Sequence, residues 1–196
     1  MKHRILLAFF IIIGLIEGAI AGQIVYRNYL ASLGQGKNQP TIVQPVKEIL
    51  IPKRIIIESL DIDAEIEAVG LDKNGSMAVP SSPWATGWYK YGATLDQKGS
   101  VVIGGHLDSK TGPAIFYRLS QIALGSEIVV IDQKGEKHFF TVTRKETYNE
   151  ENFPSKEIFT TSDKKRLNLI TCRGTFDKIK QKYDKRIVIF TESKNN

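Results

Sequence analysis

Short runs of apolar residues, many of them β-branched, dominate the chain beyond residue 53. Residues of this kind favour extended strands, and the turn signals between them separate one strand from the next. Glycine-ended tripeptides mark such turns at 73–75, 97–99 and 133–135. The pattern predicts an all-β barrel or sandwich. Its seven predicted strands cover residues 54–58, 62–69, 100–104, 127–131, 138–147, 167–171 and 186–191.

Two short segments have a helical pattern instead, one near residues 114–119 and the other near 155–162. In the second, Ser155 followed by Glu157 and Ile158 forms a suitable helix start. We therefore expect one or two short accessory helices on a β domain. No internal repeat is visible, which excludes propellers and solenoids.

The amino terminus carries the longest apolar segment, from residue 5 to residue 26, and Lys2 and Arg4 precede it. A membrane helix needs about 20 mostly apolar residues, so this segment is long enough, although Glu17 is costly in lipid. The pattern Ala19-Ile20-Ala21, with small residues on either side of Ile20, also suits a cleavable signal peptide, and both alternatives stay open. Either one exports the rest of the chain, and the basic residues place the amino terminus on the cytoplasmic side.

These patterns divide the chain into four parts: an anchor or signal segment at 1–30, a spacer at 31–53, a folded domain at 54–192 and a tail at 193–196. Glycines and prolines keep the spacer out of helical structure. The expected location is a single-pass cell-membrane protein with a cytoplasmic amino terminus, a hydrophobic amino-terminal helix and an extracytoplasmic domain.

The amino-acid composition excludes several classes of protein and kinds of site. Hydrophobic residues make up 42% and charged residues 24% of the chain, which is typical of a globular domain and excludes a multi-span membrane protein. The net charge is +6, of which the first thirty residues contribute +2, and the remaining +4 does not indicate a nucleic-acid partner. A single cysteine excludes an intramolecular disulfide and a zinc site of paired thiolates.

That cysteine, Cys172, ends the apolar strand 167–171 and is followed by Arg173 and Gly174. A buried cysteine packed as a small hydrophobe is the common alternative. In an exported protein, however, an unpaired thiol risks oxidation and intermolecular pairing. The compartment therefore favours a functional thiol at a strand end.

A histidine occupies a similar position after an apolar strand that ends in two glycines, residues 101–105. His106 could act there as acid and base, although it could equally be satisfied by a turn carbonyl. His3 lies in the basic start and His138 opens a polar strand, so both are expected to be solvated. His106 is therefore the predicted partner of Cys172.

Arg186 opens the last predicted strand. A guanidinium can hydrogen-bond a developing oxyanion without changing its protonation state, which suits acyl transfer. Basic residues at strand starts are usually surface features, and Arg173 competes for the same role.

Together, the Leu-Ile-Thr-Cys strand ending at Cys172, the Gly-His pair at 105–106 and Arg186 resemble the sortase family. The similarity covers residues 51–192, and the motifs within 106–119 are more like class F than class A or B, with classes D and E as alternatives. The chain departs from the family at position 173, where many relatives carry a small or acidic residue.

The resemblance implies a closed eight-stranded sortase-type β-barrel and a cysteine transpeptidase for a sorting signal of the LPXTG kind. Cys172 would attack the threonine carbonyl of that signal and form a thioester. His106 would protonate the leaving amine and deprotonate the incoming one, while Arg186 would hold the carbonyl and the oxyanion. The implied partners are secreted proteins with a sorting signal and an amine acceptor such as a peptidoglycan cross-bridge or stem peptide. The mechanism needs no cofactor and no metal.

The Thr171 hydroxyl could contact either the substrate or the arginine, and further substrate contacts are expected from the connection 149–165. Phe153, Pro154 and Ile158 there provide an apolar lining suited to a leucine and a proline. A short helix that packs its apolar face on the barrel would explain the same residues, and the two roles are compatible.

Some relatives bind calcium, and Glu146, Glu150 and Glu151 could form part of such a site, but a solvated acidic loop is the expected arrangement. Two other functions remain open at this point. One is a thiol hydrolase that releases the acyl group to water. The other is a membrane-anchored, wall-associated module without catalysis.

Overall fold

A computed structural model describes residues 23, 26–31, 49–160 and 162–194. The chain divides into two units, Met1–Lys47 and Glu48–Asn196. In the first unit the described residues are helical and exposed, and most of the predicted amino-terminal hydrophobic helix lies outside the described residues. Among the residues that are described, no helix has the length and apolar character that a membrane span requires.

The described part of the second unit contains ten strands and four short helices. The strands are β1 (Pro52–Ile57), β2 (Ile62–Val69), β3 (Thr86–Tyr89), β4 (Gly99–Gly105), β5 (Asp108–Ser109), β6 (Gly112–Pro113), β7 (Glu127–Asp132), β8 (Lys137–Asn149), β9 (Lys165–Asp177) and β10 (Lys182–Ser193). Three helices are of the 3₁₀ type, at Glu58–Leu60, Leu119–Gln121 and Glu150–Asn152, and one is an α-helix at Ser155–Phe159.

Eight of these strands form a closed barrel in the order β1-β2-β3-β4-β9-β10-β8-β7, and β5 and β6 form a separate two-stranded sheet. The neighbours β2 and β3 run parallel, as do β4 and β9. The remaining barrel pairs are antiparallel. The predicted closed eight-stranded barrel is therefore confirmed.

Every second residue of the strands points into the barrel, because side chains alternate between the two faces of a sheet. An eight-stranded barrel is just wide enough for side chains to fill it. Burial of each large aliphatic side chain there contributes about 1.5–3 kcal/mol. The fully or almost fully buried interior residues include Ile55, Ile57, Val101, Ile103, Ile128, Val130, Leu167, Leu169, Ile187 and Ile189.

A second, smaller apolar cluster lies on the outer face of the barrel. Val102 of β4 and Val188 of β10 contribute to it, and Ile158 of the α-helix packs against them. The buried Asn168 side chain donates a hydrogen bond of 2.8 Å to the Ile158 carbonyl. The α-helix is thus held on the outer face of β4 and β9.

The predicted helix near 114–119 is wrong. This segment forms turns, and only Leu119–Gln121 is helical. The N–H groups of Ala114 and Phe116 instead bond to the carbonyls of Leu107 and His106, at 3.1 and 2.9 Å. Tertiary hydrogen bonds therefore anchor the start of this segment, and the local bonds from the N–H groups of Tyr117 and Leu119 to the Ala114 and Phe116 carbonyls form turns instead of a continuous helix.

Candidate active site

The strand register brings Cys172 and Arg186 together. Arg186 of β10 is the direct cross-strand partner of Cys172 of β9. Leu169 and Ile187 point into the barrel, so alternation along each strand places Cys172 and Arg186 on the outer face. A one-residue slip would send one of the two side chains to the other face, and the buried interior residues prevent such a slip.

His106 reaches the same end of the barrel through β4. That strand runs parallel to β9 with Gly104 opposite Ile170, so the same register brings His106 level with Cys172. The Thr171 hydroxyl donates a hydrogen bond of 2.8 Å to the Gly105 carbonyl. This bond joins the residues directly before the histidine and the cysteine.

Backbone contacts hold the histidine in position. The His106 carbonyl accepts the Phe116 N–H at 2.9 Å, and Nε2 of the ring lies 3.1 Å from the Pro80 carbonyl oxygen. When Nε2–H donates to that oxygen, Nδ1 carries the lone pair of the neutral ring. Gly105 must be a glycine, because a Cβ there would lie 2.5 Å from the Phe116 ring.

The Arg186 guanidinium is fixed by several partners. Its Nη1 donates to the carbonyls of Tyr183 and Lys185, both at 3.0 Å. Its Nη2 lies 3.6 Å from Oε1 of Glu150, and Oε2 of the same carboxylate lies 2.8 Å from Lys182 Nζ. The side chain remains 24% exposed, so a substrate oxygen can still reach the guanidinium.

Burial raises the pKa of the Cys172 thiol above its ordinary value. The positive charge of Arg186 acts in the opposite direction, while the carboxylates of Asp108 and Glu150 raise the pKa further. At neutral pH the sulfur is therefore mostly a thiol. A nearby base that accepts its proton is needed for efficient attack, because the thiolate is the nucleophile.

Asp108 and Tyr183 belong to this site, and no site role was predicted for either. The Tyr183 hydroxyl donates to Asp108, and this bond raises the pKa of Tyr183 to about 12. The Tyr183 ring packs edge-on against Phe176, with ring centroids 5.2 Å apart. Asp108 could have been suspected because it follows His106 by two residues, whereas only the tertiary pairing of β10 reveals Tyr183.

The four predicted substrate contacts have different environments. Thr171 is buried, and its hydroxyl bonds to Gly105 rather than facing the guanidinium of Arg186. Ile158 is fully buried in the outer apolar cluster. Phe153 and Pro154 are half-buried at the start of the α-helix. The exposed parts of Phe153 and Pro154 remain available for substrate contacts beside the barrel.

An apolar surface extends from Cys172 along the outer face. Ile170 precedes the cysteine on this face, and Met77 lies over Gly104, its Cε 3.4 Å from where a Cβ would be. Tyr89 packs edge-on against Phe159 of the α-helix, with ring centroids 5.3 Å apart. These residues were not predicted as site residues, since they come from separate segments without a shared motif.

Arg173, the rival of Arg186, lies on the opposite face of β9 from Cys172 because the two are neighbours in a strand. Its Nη1 donates to the Ser120 hydroxyl at 3.2 Å. The cross-strand register therefore selects Arg186 as the guanidinium beside the sulfur.

The three glutamates considered for calcium do not share one environment. Glu150 contacts Lys182 and Arg186, whereas Glu151 is exposed and Glu146 faces Val188 in the β8–β10 register. Within the ranges that the structure describes, no group of three or more histidine, cysteine or acidic residues is placed to hold a metal ion.

The family model of the sortase domain matches residues 55–194, which is more than half of the chain. The chain belongs to the sortase family. It is thus a sortase-type cysteine transpeptidase, a class that acts on proteins with a sorting signal and on amine acceptors. A search of curated proteins finds no significant match.

Solved structures of sortases share the fold. A lid mutant of sortase A from Corynebacterium diphtheriae is 19% identical, with a TM-score of 0.58, and the match covers 78% of this sortase and 75% of that chain. Sortase C1 of Streptococcus agalactiae, in complex with MTSET, is 13% identical, with a TM-score of 0.56 and coverage of 74% and 69%. Sortase A from Listeria monocytogenes is 20% identical, with a TM-score of 0.54 and coverage of 74% and 88%.

Proposed function

We propose that this sortase cleaves an LPXTG-like sorting signal through a thioester on Cys172 and transfers the acyl group to an amine, attaching proteins to the cell wall. The observation that carries the proposal is the register of β4, β9 and β10. It sets Arg186 opposite Cys172, and Gly104 opposite Ile170 two residues before His106 and Cys172, which supports a shared site for the imidazole, the thiol and the guanidinium.

In the first half-reaction, His106 takes the Cys172 proton and the thiolate attacks the threonine carbonyl carbon. The C–S bond forms, and Arg186 donates hydrogen bonds to the oxyanion of the tetrahedral intermediate. The C–N bond to the following residue then breaks, and the imidazolium gives its proton to the departing amine. A thioester and a neutral histidine remain.

The second half-reaction reverses these roles. The acceptor amine loses a proton to His106 as its nitrogen attacks the thioester carbonyl. Arg186 again stabilises the oxyanion, the C–S bond breaks, and the sulfur leaves as thiolate. The imidazolium returns its proton to the sulfur, which restores the thiol and the neutral histidine. The new amide bond joins the sorted protein to the acceptor.

The sorting signal is proposed to lie along the outer face, where Phe153 and Pro154 offer apolar surface to its leucine and proline. Ile158 supports this wall from beneath, since it is buried in the cluster that holds the α-helix. Thr171 acts by holding Gly105, and through it the histidine segment, rather than by touching the peptide.

Class F membership and membrane anchoring by residues 1–30 are also proposed. The motifs within 106–119 support the class, and the apolar run at 5–26 behind two basic residues supports an anchored enzyme whose catalytic domain is extracytoplasmic.

The direct test is mass spectrometry of the purified chain mixed with LPXTG peptides of varied X position and a glycine-peptide acceptor. We expect an acyl adduct on Cys172 and a peptide joined to the acceptor. Cys172→Ala should lose the adduct and at least about 10³-fold in turnover, because the nucleophile is gone.

Two results would contradict the proposal. Turnover by Cys172→Ala equal to that of the parent would show that the cysteine is incidental. Hydrolysed peptide as the sole product with every acceptor would identify a thiol hydrolase.

A further inference from the structure

A cleft of about 490 Å³ opens beside the catalytic residues. Two of its lining residues directly follow catalytic residues along the chain: Leu107 follows His106, and Arg173 follows Cys172. Polar and apolar surface contribute about equally to its lining. The residues that form it are Leu107, Tyr117, Ser120, Gln121, Arg173, Gly174 and Thr175.

Arg173 differs from the other arginines of the second unit. Over residues 49–160 and 162–194 there are six arginines, and five of them lie within 4 Å of a carboxylate. Arg173 has no such partner there, and its guanidinium bonds to the Ser120 hydroxyl in the cleft. The five paired arginines are Arg54, Arg118, Arg144, Arg166 and Arg186.

Two lysines add to the positive charge near this guanidinium. Lys185 is the direct cross-strand partner of Arg173, although like charges in that relation repel each other. Lys145 Nζ donates to the Ser120 and Ile122 carbonyls at 2.8 and 2.9 Å. Neither lysine has a carboxylate within 4 Å among the described residues, so the local charge is uncompensated.

One carboxylate does lie close to the hairpin that β9 and β10 form. Asp184 approaches Gly174 and accepts the Thr175 N–H at 2.7 Å. It forms no ion pair with Arg173 or Lys185 in the described part of the chain. The Asp184 carboxylate therefore interacts with the backbone of the β9–β10 hairpin. Arg173 and Lys185 remain available to bind an external anion.

We propose that this cleft binds a carboxylate of the amine acceptor, with Arg173 and Lys185 as the residues that determine acceptor specificity. The inference rests on the proposed transpeptidation and names the chemical class of its second substrate: a short peptide with a carboxylate a few residues from its free amine. A planar guanidinium matches a carboxylate with two parallel hydrogen bonds.

The distances suit such a peptide. Arg173 and Cys172 have Cα atoms about 3.8 Å apart and side chains on opposite faces, so the guanidinium and the sulfur are separated by roughly two to three residue lengths. Three extended residues span about 10 Å. A tripeptide held by its carboxylate in the cleft therefore reaches the thioester with its amine.

Three acceptors test the proposal on the full chain: triglycine, triglycine amide, and a Gly-Gly-Glu peptide with an amidated carboxyl terminus. We measure the acceptor KM in transfer from an LPXTG peptide. An exposed ion pair contributes up to about 1 kcal/mol, so we expect triglycine to have a KM about fivefold below that of its amide. The glutamate peptide shows whether a side-chain carboxylate serves as well as a terminal one.

Arg173→Gln and Lys185→Gln should each reduce this preference, and the double variant should abolish it. Arg54→Gln is the matched control, because it removes an exposed guanidinium from β1, away from the cleft, and it should keep the preference. A preference that survives in the double variant, or no preference in the parent, would overturn the inference.

A binding titration separates this inference from the proposed function. Triglycine should shift the NMR signals of the Ser120 amide and the Arg173 side chain at lower concentration than its amide does. Equal binding of the two peptides would overturn the inference. If no LPXTG peptide is cleaved, the proposed function fails, while this titration still decides whether the cleft selects a carboxylate.

Discussion

The two faces of β9 at the end of the barrel carry different chemistry. On the outer face, Cys172 lies opposite Arg186, whose charge is partly balanced by Glu150 at 3.6 Å. On the other face, Arg173 lies opposite Lys185, and neither has a carboxylate partner in the described ranges. One strand therefore presents a nucleophile on one side and a positive surface on the other.

Because side chains alternate between the two faces of a strand, a single strand can offer a different surface to each of two substrates. The sulfur is the atom common to both half-reactions, so two substrates can approach it from different sides. A balanced guanidinium is suited to a transient oxyanion, whereas an unbalanced pair of cations is suited to a permanent anion.

The largest difference between the two faces is expected when each arginine is neutralised in turn. Arg186→Gln should reduce peptide cleavage by about 10²–10³-fold, because the oxyanion loses its donor. Arg173→Gln should retain most of the cleavage, because its guanidinium is on the other face. Steady-state cleavage of an LPXTG peptide without acceptor measures both.

The reverse result, with Arg173 essential and Arg186 dispensable, would reassign the oxyanion role and contradict the register argument. Circular dichroism of both variants provides the control, since each substitution should leave the fold intact.

A smaller effect is expected from the inward side of β9. Thr171→Val removes the hydroxyl that holds the Gly105 carbonyl and should destabilise the fold by about 0.5–1.5 kcal/mol, because the half-buried carbonyl loses this hydrogen bond. Thermal unfolding measures this, with a shift of roughly 2–4 °C for each kcal/mol. Thr171→Ser keeps the hydroxyl and should restore most of the stability. If valine and serine variants unfolded alike, the hydrogen bond would not be the stabilising contact.

The smallest expected effect is a shift in the pKa of Cys172 when the charges around the sulfur are changed. A carboxylate near a thiolate raises the thiol pKa, so Asp108→Asn should lower the pKa of Cys172, whereas Arg186→Gln should raise it. The pH dependence of Cys172 alkylation by iodoacetamide measures the midpoint. Asp63→Asn, on distant β2, should leave the midpoint in place. A shift in the same direction for Asp108→Asn and Arg186→Gln would contradict this electrostatic picture.

Most of the barrel was predictable from the sequence. All seven predicted strands correspond to barrel strands, because β-branched runs and glycine turns specify extended structure locally. The missed strand, β3, is only four residues long and pairs in parallel with β2. Such a short segment has no pattern of its own and becomes a strand through its neighbours.

The reach of β9 and β10 was also underestimated. β9 continues to Asp177 and β10 begins at Lys182, beyond the predicted ends at 171 and 186. These polar residues lack a strand pattern, but pairing of Lys182 with Asp177 and of Tyr183 with Phe176 extends the sheet. Tyr183 and the paired cations Arg173 and Lys185 lie in this extension, which explains why their roles were not foreseen.

The order of amino acids specifies the chemical groups and the strand periodicity: one thiol, one histidine behind two glycines, and alternating aliphatic residues that must be buried. Which arginine faces the sulfur, and which carboxylates surround it, follows from the way the strands pair in the folded barrel. Hydrophobic burial acts along each strand and can be read locally, whereas the register between β4, β9 and β10 depends on residues far apart in the chain. That register made Arg186 the partner of Cys172 and left Arg173 on the other face.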